Sequence, residues 1–213
     1  MRAISIWLAG LAGTALAVTV CYFWLDRPIA LWVHGHLRLG YRGLLAPLIH
    51  LGDPLIPLAA ITLIVVGLRA VVTRLLPADY VAAALVASVS VLVTEGLKDA
   101  LKLVLGRTWP VSWMGNNPSF IRDGVYGFHF MHHGGAYQSF PSGHMAASCA
   151  IVAVLWFWYP RWRALYCIAA LAVGVGLVAA NYHFLGDVIA GAFLGASVGW
   201  VATTIWRALV AAD

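Results

Sequence analysis

The sequence predicts an all-α fold, a bundle of six helices that cross a membrane. Of the 213 residues, 62% are apolar and only 10% are charged, and the mean hydropathy is +0.88. A soluble domain of this size needs more charged residues to cover its surface. The apolar residues form six runs, each approaching the length of about 20 residues that a spanning helix requires. These runs are Ile4–Leu25, Leu55–Val72, Tyr80–Leu97, His144–Tyr159, Ala164–Tyr182 and Val188–Trp206.

The first run begins like a secretory signal, because it follows Arg2 and contains an Ala-Leu-Ala tripeptide at 15–17 that resembles a cleavage site. It nevertheless continues without a break to Leu25, which is too long for the apolar core of a signal peptide and long enough to cross a bilayer. We therefore expect an uncleaved first span. The runs lack the alternation of barrel strands, and we expect residues 1–213 to form a single integral membrane domain.

The charge pattern bears on partners and orientation. The net charge is +5 and includes 13 Lys and Arg residues. They are scattered between the apolar runs and form no basic stripe or tail, so nucleic-acid binding is not expected. The compact loops Arg69–Arg74 and Arg161–Arg163 are denser in positive charge than the others, which favours a cytoplasmic position for them and for the N-terminus. Three cysteines within apolar runs suit neither a disulfide framework nor a metal motif.

A histidine and an aspartate follow the fifth run. Asp187 comes four residues after His183, and residues with this spacing on a helix share a face and can touch. A carboxylate that accepts a hydrogen bond from one ring nitrogen leaves the other nitrogen to act as a nucleophile or base. The same spacing also occurs in structural hydrogen bonds at helix ends, so the pair by itself leaves both interpretations open.

The sequence Phe-Pro-Ser-Gly-His at 140–144 stands immediately before the fourth run. Ser142 is a natural N-cap, and Gly143 lets an anion approach the backbone. The N–H groups and the dipole at a helix N-terminus attract phosphate, and His144 in the first turn can give or take a proton. A capped helix that happens to contain a histidine is the plainer alternative.

A glycine stripe marks the sixth run. Gly191, Gly195 and Gly199 recur every four residues along one helix face, and small residues let helix backbones approach closely in lipid. The stripe predicts a helix contact, either within one chain or between two copies, so a homo-oligomer stays open.

Three histidines in a Gly-rich loop raise the question of a metal site. His129, His132 and His133 have no acidic neighbour beyond Asp123 and do not resemble a defined zinc site. We expect neither a metal nor another cofactor. Glu95, deep in the third run, is expected to pair with a nearby cation, because an unpaired charge is costly at membrane depth.

Together these motifs resemble the type 2 phosphatidic acid phosphatase superfamily, which consists of six-span membrane phosphatases. The family's first motif is Lys, six residues and Arg-Pro. The second is Pro-Ser-Gly-His, and the third is Ser-Arg, five residues, His, three residues and Asp. The resemblance runs from about residue 102 to residue 195. The matching residues are Lys102 and Pro110 in the first motif, Pro141, Ser142, Gly143 and His144 in the second, and His183 and Asp187 in the third.

The chain departs from the family at both motif arginines. Trp109 stands at the first, and Gly176-Leu177 replaces Ser-Arg in the third. A phosphate monoester carries nearly two negative charges, so other groups must hold it. We hypothesise that Arg107 and Arg122 supply the displaced charge, although Arg122 could equally contact lipid headgroups. The Asn181 amide could add a neutral hydrogen bond.

The resemblance implies a metal-independent enzyme that hydrolyses a lipid phosphate or diphosphate at the outer membrane–water interface. It also implies a bacterial inner membrane location, with the active site facing the periplasm or exterior. In the implied mechanism His183 forms a phosphohistidine, Asp187 stabilises its imidazolium, and His144 protonates the leaving oxygen. The expected phosphate-binding residues are Lys102, Arg107, Ser142, Gly143 and Arg122.

Two alternatives remain on the sequence alone. A lipid phosphotransferase would use a lipid hydroxyl instead of water, and sphingomyelin synthases have a similar arrangement of two histidines and an aspartate. The second alternative is a relative of these enzymes that has lost catalytic activity, and the absence of the two motif arginines favours it.

Overall fold

The protein is a bundle of long helices with a folded loop across one end. The computed structural model describes residues 2–37, 53–73, 79–112, 116–132 and 134–211, so Arg74 and His133 lie outside the described residues. Within these ranges the chain is helical and contains isolated β-bridges but no strand. The helices are α1 (Arg2–Val20), α2 (Asp26–His36), α3 (Leu55–Thr73), α4 (Asp79–Leu105), α5 (Phe120–Asp123), α6 (Gly143–Trp158), α7 (Arg163–Ala179) and α8 (Leu185–Val210).

Four helical segments are long and apolar enough to cross a membrane, and they cover residues 3–36, 79–105, 160–179 and 185–210. Two further apolar helices, Leu55–Arg69 and Gly143–Trp158, are shorter. They correspond to the second and fourth apolar runs. The all-α prediction is therefore confirmed, and the described helices include four candidate spans and two shorter apolar helices.

Two helices continue beyond the ends of their apolar runs. A π-helical turn, Cys21–Leu25, joins α1 to α2, so Asp26 is helical although the first apolar run ends at Leu25. The helix can continue there because the Asp26 carboxylate is buried and paired with Arg107. Likewise α4 runs on to Leu105, and its last turns are polar on the side that faces the functional site.

The glycine stripe explains how α6 and α8 pack. A Cβ on Gly195 would lie 1.9 Å from the carbonyl oxygen of Ala146, and a Cβ on Gly191 would lie 2.4 Å from that of Ser142. Only glycine permits this approach of two backbones. The predicted stripe is therefore a contact within one chain. Because it brings the two helices together along their length, it places their N-terminal ends side by side.

The described parts of the loop between α4 and α6, residues 106–112, 116–132 and 134–142, fold over that end of the bundle. Arg107 forms isolated bridges with Phe128 and Gln138, which hold the loop against the helix ends. Gly106 has a φ of +52°, and a Cβ there would lie 2.1 Å from the carbonyl oxygen of His129. The rings of His129 and His132 both contact Tyr137. Among the described residues, no group of three His, Cys, Asp or Glu side chains is placed to hold a metal ion.

Candidate active site

A polar cavity of about 290 Å³ opens at the end of the bundle where α3, α6 and α8 begin and α4 ends. It brings together three side chains that lie far apart in sequence, those of Lys102, His144 and His183. The other lining residues are Asp53, Ile56, Glu95, Lys98, Trp109, Gly143, Ala147 and Tyr182. Of the remaining expected site residues, Asp187 and Ser142 lie directly behind this lining, and the two arginines lie elsewhere.

His183 and Asp187 are in contact, but they do not share a continuous helix. His183 lies in the turn between α7 and α8, and Asp187 lies in the first turn of α8. The turn is tight, because Asn181 has a φ of 54° and the N–H groups of Tyr182 and His183 both donate to the carbonyl of Leu177. This geometry directs the His183 ring back over Asp187, with 3.5 Å between Nδ1 and Oδ2.

The carboxylate of Asp187 is held from several sides. Its Oδ2 accepts hydrogen bonds from the Ser139 hydroxyl at 2.6 Å and from the Phe184 N–H at 3.0 Å. Ser139 Oγ also lies 3.4 Å from His183 Nδ1. Sequence reasoning missed Ser139, which stands just before the Phe-Pro-Ser-Gly-His motif and carries no distinguishing signal of its own.

His183 is a neutral imidazole at pH 7. Its side chain is only 1% exposed, and burial lowers its pKa to about 4, although Asp187 opposes the shift. Lys102 and His144 across the cavity lower the pKa further. A neutral ring whose Nδ1 faces a carboxylate presents its other nitrogen as a nucleophile or base.

Arg107 does not line the cavity, which corrects the expectation that it contacts phosphate. Its side chain is fully buried behind His183, where Nη1 donates to Asp187 Oδ1 and Nη2 to Asp26 Oδ2, each at 2.6 Å. Burial alone would lower the pKa of Arg107, but the two carboxylates raise it above its ordinary value. Sequence reasoning missed Asp26. The available signal was a carboxylate directly after an apolar run, because such groups are rarely left unpaired.

Arg122 also lies away from the cavity, contrary to expectation. Its guanidinium is exposed and donates to the Asp123 carboxylate at 2.9 Å and to the backbone carbonyls of Asn116 and Asn117. Hydrogen bonds from Arg122 and from the Ser119 N–H lower the pKa of Asp123. These contacts brace the loop around α5 and leave no role for Arg122 in the cavity.

The Asn181 amide is likewise absent from the cavity. It is buried and donates to the carbonyl of Ala30 at 3.0 Å. It therefore ties the turn that carries His183 to α2 and does not contribute a hydrogen bond to the site.

Two lysines of α4 and two acidic residues, Asp53 and Glu95, line the cavity. Lys98 and Lys102 are one helical turn apart and both line it. Lys98 Nζ lies 2.5 Å from Glu95 and 3.1 Å from Asp99, so the prediction that Glu95 pairs with a cation is confirmed. Sequence reasoning missed Lys98 as a site residue, although its i, i+4 spacing from Lys102 was visible.

Gly143 has a second role that the motif alone does not reveal. A Cβ at this position would lie 2.8 Å from Cδ of Lys98. The glycine therefore lets the Lys98 side chain lie across the N-terminal end of α6. This close approach places an ammonium group beside backbone N–H groups that have no acceptor within the helix.

Ser142 occupies the N-cap position of α6, but its side chain makes no capping hydrogen bond. Its backbone N–H donates to the carbonyl of Asp187 at 3.0 Å instead, which links the beginnings of α6 and α8. His144 then points into the cavity from the first turn of α6, and its Nε2 lies 2.7 Å from Asp53 Oδ1.

Aromatic and aliphatic side chains occupy the positions of the two absent arginines. Trp109 forms a wall of the cavity, with its ring centroid 5.0 Å from that of His183, and its Nε1 donates to the Gly135 carbonyl. Leu177 is fully buried. Tyr182 has its ring centroid 5.2 Å from that of His183 and 5.8 Å from that of His144. Burial and Asp53 raise its pKa.

Comparison with known proteins agrees with this fold. The family model of the PAP2 superfamily matches residues 82–211, more than half of the chain. A lipid A 1-phosphatase of Rhizobium etli is 32% identical over 104 residues, which are 49% of this chain and 40% of that protein. One from Rhizobium johnstonii is 32% identical over 100 residues, 47% of this chain and 38% of that protein. The matched region thus spans about two fifths of the length of these relatives.

A solved structure shares the overall fold. The crystal structure of a transmembrane PAP2 type phosphatidylglycerolphosphate phosphatase from Bacillus subtilis superposes with a TM-score of 0.57 and covers 95% of this chain and 96% of that chain. The sequence identity is 17%, so this likeness concerns the fold alone. The apolar helices and the family together identify an integral membrane protein. Since the family model covers most of the chain, including every predicted motif, the protein belongs to the PAP2 superfamily.

Proposed function

We propose that the protein is a membrane phosphatase that removes phosphate from a lipid phosphate or diphosphate through a phosphohistidine, without a metal ion. The observation that carries this proposal is one cavity lined by two histidines and two lysines at the end of a bundle of apolar helices. A site at this level can receive a charged headgroup while the acyl chains of the substrate stay in lipid. Membership of the PAP2 superfamily supports the same conclusion.

In the first step, Nε2 of His183 attacks phosphorus, and the bond from phosphorus to the lipid oxygen breaks. Asp187 faces Nδ1 at 3.5 Å, so it keeps the ring proton on that nitrogen and balances the positive charge of the phosphorylated ring. His144 donates a proton to the leaving lipid oxygen. The products of this step are a lipid alcohol and a phosphohistidine.

In the second step, water attacks the phosphorus of the phosphohistidine. His144, which has lost its proton, takes one from the water, and the bond between phosphorus and Nε2 breaks. Inorganic phosphate leaves, His183 is neutral again, and His144 is protonated for the next cycle.

Four groups of the cavity are suited to hold the phosphate oxygens. Lys98 and Lys102 supply positive charge from α4. The N–H groups of Gly143 and His144 stand in the first turn of α6, where a helix attracts anions. In this proposal they replace the family's two guanidinium groups, a role that Arg107 and Arg122 cannot take from their positions.

The first substrate to test is a lipid A phosphate, because both curated relatives named above are lipid A 1-phosphatases.

We further propose that residues 1–213 act as one domain with six crossings. In this arrangement α3 and α6 are short crossings, and the cavity opens on the outer side of the inner membrane. A cysteine introduced near Asp53 should then react with an impermeant maleimide in intact spheroplasts. Labelling that requires permeabilised membranes would contradict this orientation.

The decisive experiment measures phosphate release by the purified protein in detergent. The panel contains lipid A, phosphatidate, phosphatidylglycerol phosphate and a polyprenyl diphosphate, each with and without chelator. We expect release from at least one lipid, insensitivity to chelator, and loss of at least 1,000-fold in His183→Asn, on the order expected for a lost nucleophile. His34→Asn is the matched control, because His34 is exposed on α2.

The other outcomes discriminate between functions. Turnover that persists in His183→Asn, or that the chelator abolishes, would overturn the mechanism. A new phospholipid formed without free phosphate would identify a phosphotransferase. No turnover on any lipid, together with no binding of vanadate, would identify an inactive relative.

A further inference from the structure

We propose that Asp26 and Arg107 form a buried relay that positions Asp187 and supplies the negative charge that His183 requires when it becomes positively charged. This inference rests on the proposed function, because it concerns the same nucleophile. Asp26 lies on α2, outside the region that the family model matches, and belongs to none of the three motifs. It acts through other residues and is therefore a positioning residue.

The Arg107 guanidinium connects two carboxylates from distant parts of the chain, Asp26 on α2 and Asp187 on α8. Each of its terminal nitrogens donates to a different carboxylate, and both distances are 2.6 Å. The nitrogen that contacts Asp26 also lies 3.0 Å from the Tyr126 hydroxyl, which itself donates to the carbonyl of Tyr22. The orientation of the guanidinium plane is thereby fixed, and with it the rotamer of Asp187.

Asp26 also holds the backbone that carries Asp187. Its second oxygen accepts the N–H of Gly186 at 3.0 Å, in the first turn of α8. A Cβ on Gly186 would lie 3.1 Å from Asp26 Oδ2 and 3.4 Å from Arg107 Nη1. A side chain at this position would therefore press on both the carboxylate and the guanidinium. Asp26 is therefore linked to α8 in two ways. It accepts the Gly186 N–H directly, and it is connected to Asp187 through Arg107.

The surroundings of Arg107 make these charges effective. Both carboxylate side chains and the guanidinium have no exposed surface, and the guanidinium carbon lies 4.6 to 5.5 Å from the ring centroids of four aromatic residues. Those rings belong to Tyr22, Tyr126, Phe128 and Phe184. Without water to screen it, a charge here interacts more strongly with its neighbours than it would at the surface.

The charge balance explains why a second carboxylate is present. Arg107 and Asp187 alone would cancel, and a positive charge on His183 would then meet no net counter-charge on that side. Lys102 and His144, which face His183 across the cavity, oppose such a charge. With Asp26 included, the buried cluster carries a net charge of −1. Phosphorylation of the His183 ring then makes the cluster and the ring neutral together.

The test uses Asp26→Asn in the full chain, which removes the charge and keeps the shape. The first readout is nitrogen-15 NMR of labelled histidine at pH 7, with the His183 signals assigned by their loss in His183→Asn. In the parent we expect the proton on Nδ1 at a downfield shift, because Nδ1 faces the Asp187 carboxylate at 3.5 Å. In Asp26→Asn, Arg107 draws the Asp187 charge to itself, so this proton should move upfield and the Nε2-protonated tautomer should appear.

The second readout is turnover. We expect kcat of Asp26→Asn to fall about 10-fold or more while KM changes less than 2-fold, because the relay acts on the transition state and not on lipid binding. Asp79→Asn is the matched control, since Asp79 is exposed at the other end of α4. An unchanged Nδ1 proton signal and unchanged kcat in Asp26→Asn would overturn the proposal.

A double variant guards against misfolding, because Asp26→Asn leaves a buried cation less compensated. Asp26→Asn combined with Arg107→Gln removes both charges and returns the cluster to −1. The downfield Nδ1 proton should then be restored, and a signal that stays upfield would overturn the charge argument. The NMR readout needs no substrate. It therefore decides the relay even if the parent releases no phosphate, a result that would count against the proposed function alone.

Discussion

Nε2 of His144 lies 2.7 Å from Oδ1 of Asp53. His144 is the proposed proton donor to the leaving lipid oxygen, and Asp53 lies in the turn just before α3, half exposed at the mouth of the cavity. The carboxylate orients the ring in the absence of substrate. It also adds negative charge beside the place where phosphate is expected to bind, so substrate must approach against it.

The Asp53→Asn variant separates these two effects. Loss of the orienting carboxylate should lower kcat about 10-fold, less than the roughly 100- to 10,000-fold that the acid itself supplies, because His144 is still present. Loss of the negative charge should at the same time lower the inhibition constant for inorganic phosphate. Steady-state kinetics with phosphate as a competitive inhibitor measures both quantities. A variant with parental kcat would remove Asp53 from the site, and Asp79→Asn serves as the control for a charge change elsewhere.

Replacing Lys98 with Met should weaken phosphate binding. The ammonium lies beside Gly143 at the N-terminus of α6, and a lost charge-assisted hydrogen bond corresponds to about 10- to 100-fold in affinity. We expect a raised inhibition constant for vanadate, and a similar or larger effect for Lys102→Met. Arg122→Gln is the matched control and should bind as the parent does, because its side chain lies outside the cavity. Weakened binding in the control would show that our assignment of the cavity charges is wrong.

Gly195→Ala should destabilise the bundle. The added methyl would lie 1.9 Å from the carbonyl oxygen of Ala146, so α6 and α8 must move apart, and overpacking of this kind costs about 1–3 kcal/mol. The apparent Tm in detergent should fall, and kcat should fall with it, because the same contact sets the separation of His144 and His183. Gly67→Ala on α3 meets no atom within 4 Å and is the control. Equal melting temperatures for the two variants would contradict the close packing.

Stability should depend on pH through His183. Burial lowers its pKa in the folded protein to about 4, below the ordinary value of 6.5. Between these pH values the unfolded chain binds one more proton than the folded protein does, so stability rises with pH across this window. The stability associated with a neutral His183 is therefore fully present above pH 6.5, and it is lost as the pH falls towards 4. Melting curves at several pH values should show a shallower slope for His183→Asn than for the parent, and parallel slopes would count against a buried neutral imidazole.

Much of the architecture follows from local sequence. Runs of apolar residues specify the helices, because a helix satisfies its own backbone hydrogen bonds in lipid, and the period of four in Gly191, Gly195 and Gly199 correctly predicts a close helix contact. The continuation of α4 to Leu105 was not predicted. Lys98 and Lys102 interrupt the apolar pattern, and Lys98 is paired with Glu95 and Asp99 of the same helix.

The placement of the arginines shows where local reasoning fails. Arg107 lies two residues before the motif position and, on sequence alone, is the nearest substitute for the missing guanidinium. In the structure it is paired with Asp26 and Asp187. The first apolar run ends at Leu25, one residue before Asp26, so the pattern of the sequence does not place Asp26 in a helix. A cation is directed to whichever buried carboxylates lie within reach, and that depends on the packing of α2 against α8.

The amino-acid sequence by itself determined the helical class, the family and the motifs that contain His144, His183 and Asp187, because these depend on composition and on spacings along one chain. Only the tertiary structure decided which charges face the cavity and which are buried behind it. The Lys98 side chain can lie in the cavity because Gly143 has no side chain there. The Arg107 side chain is held behind the cavity by its ion pair with Asp26. Both outcomes depend on distances between helices that are remote in sequence, and no local pattern encodes those distances.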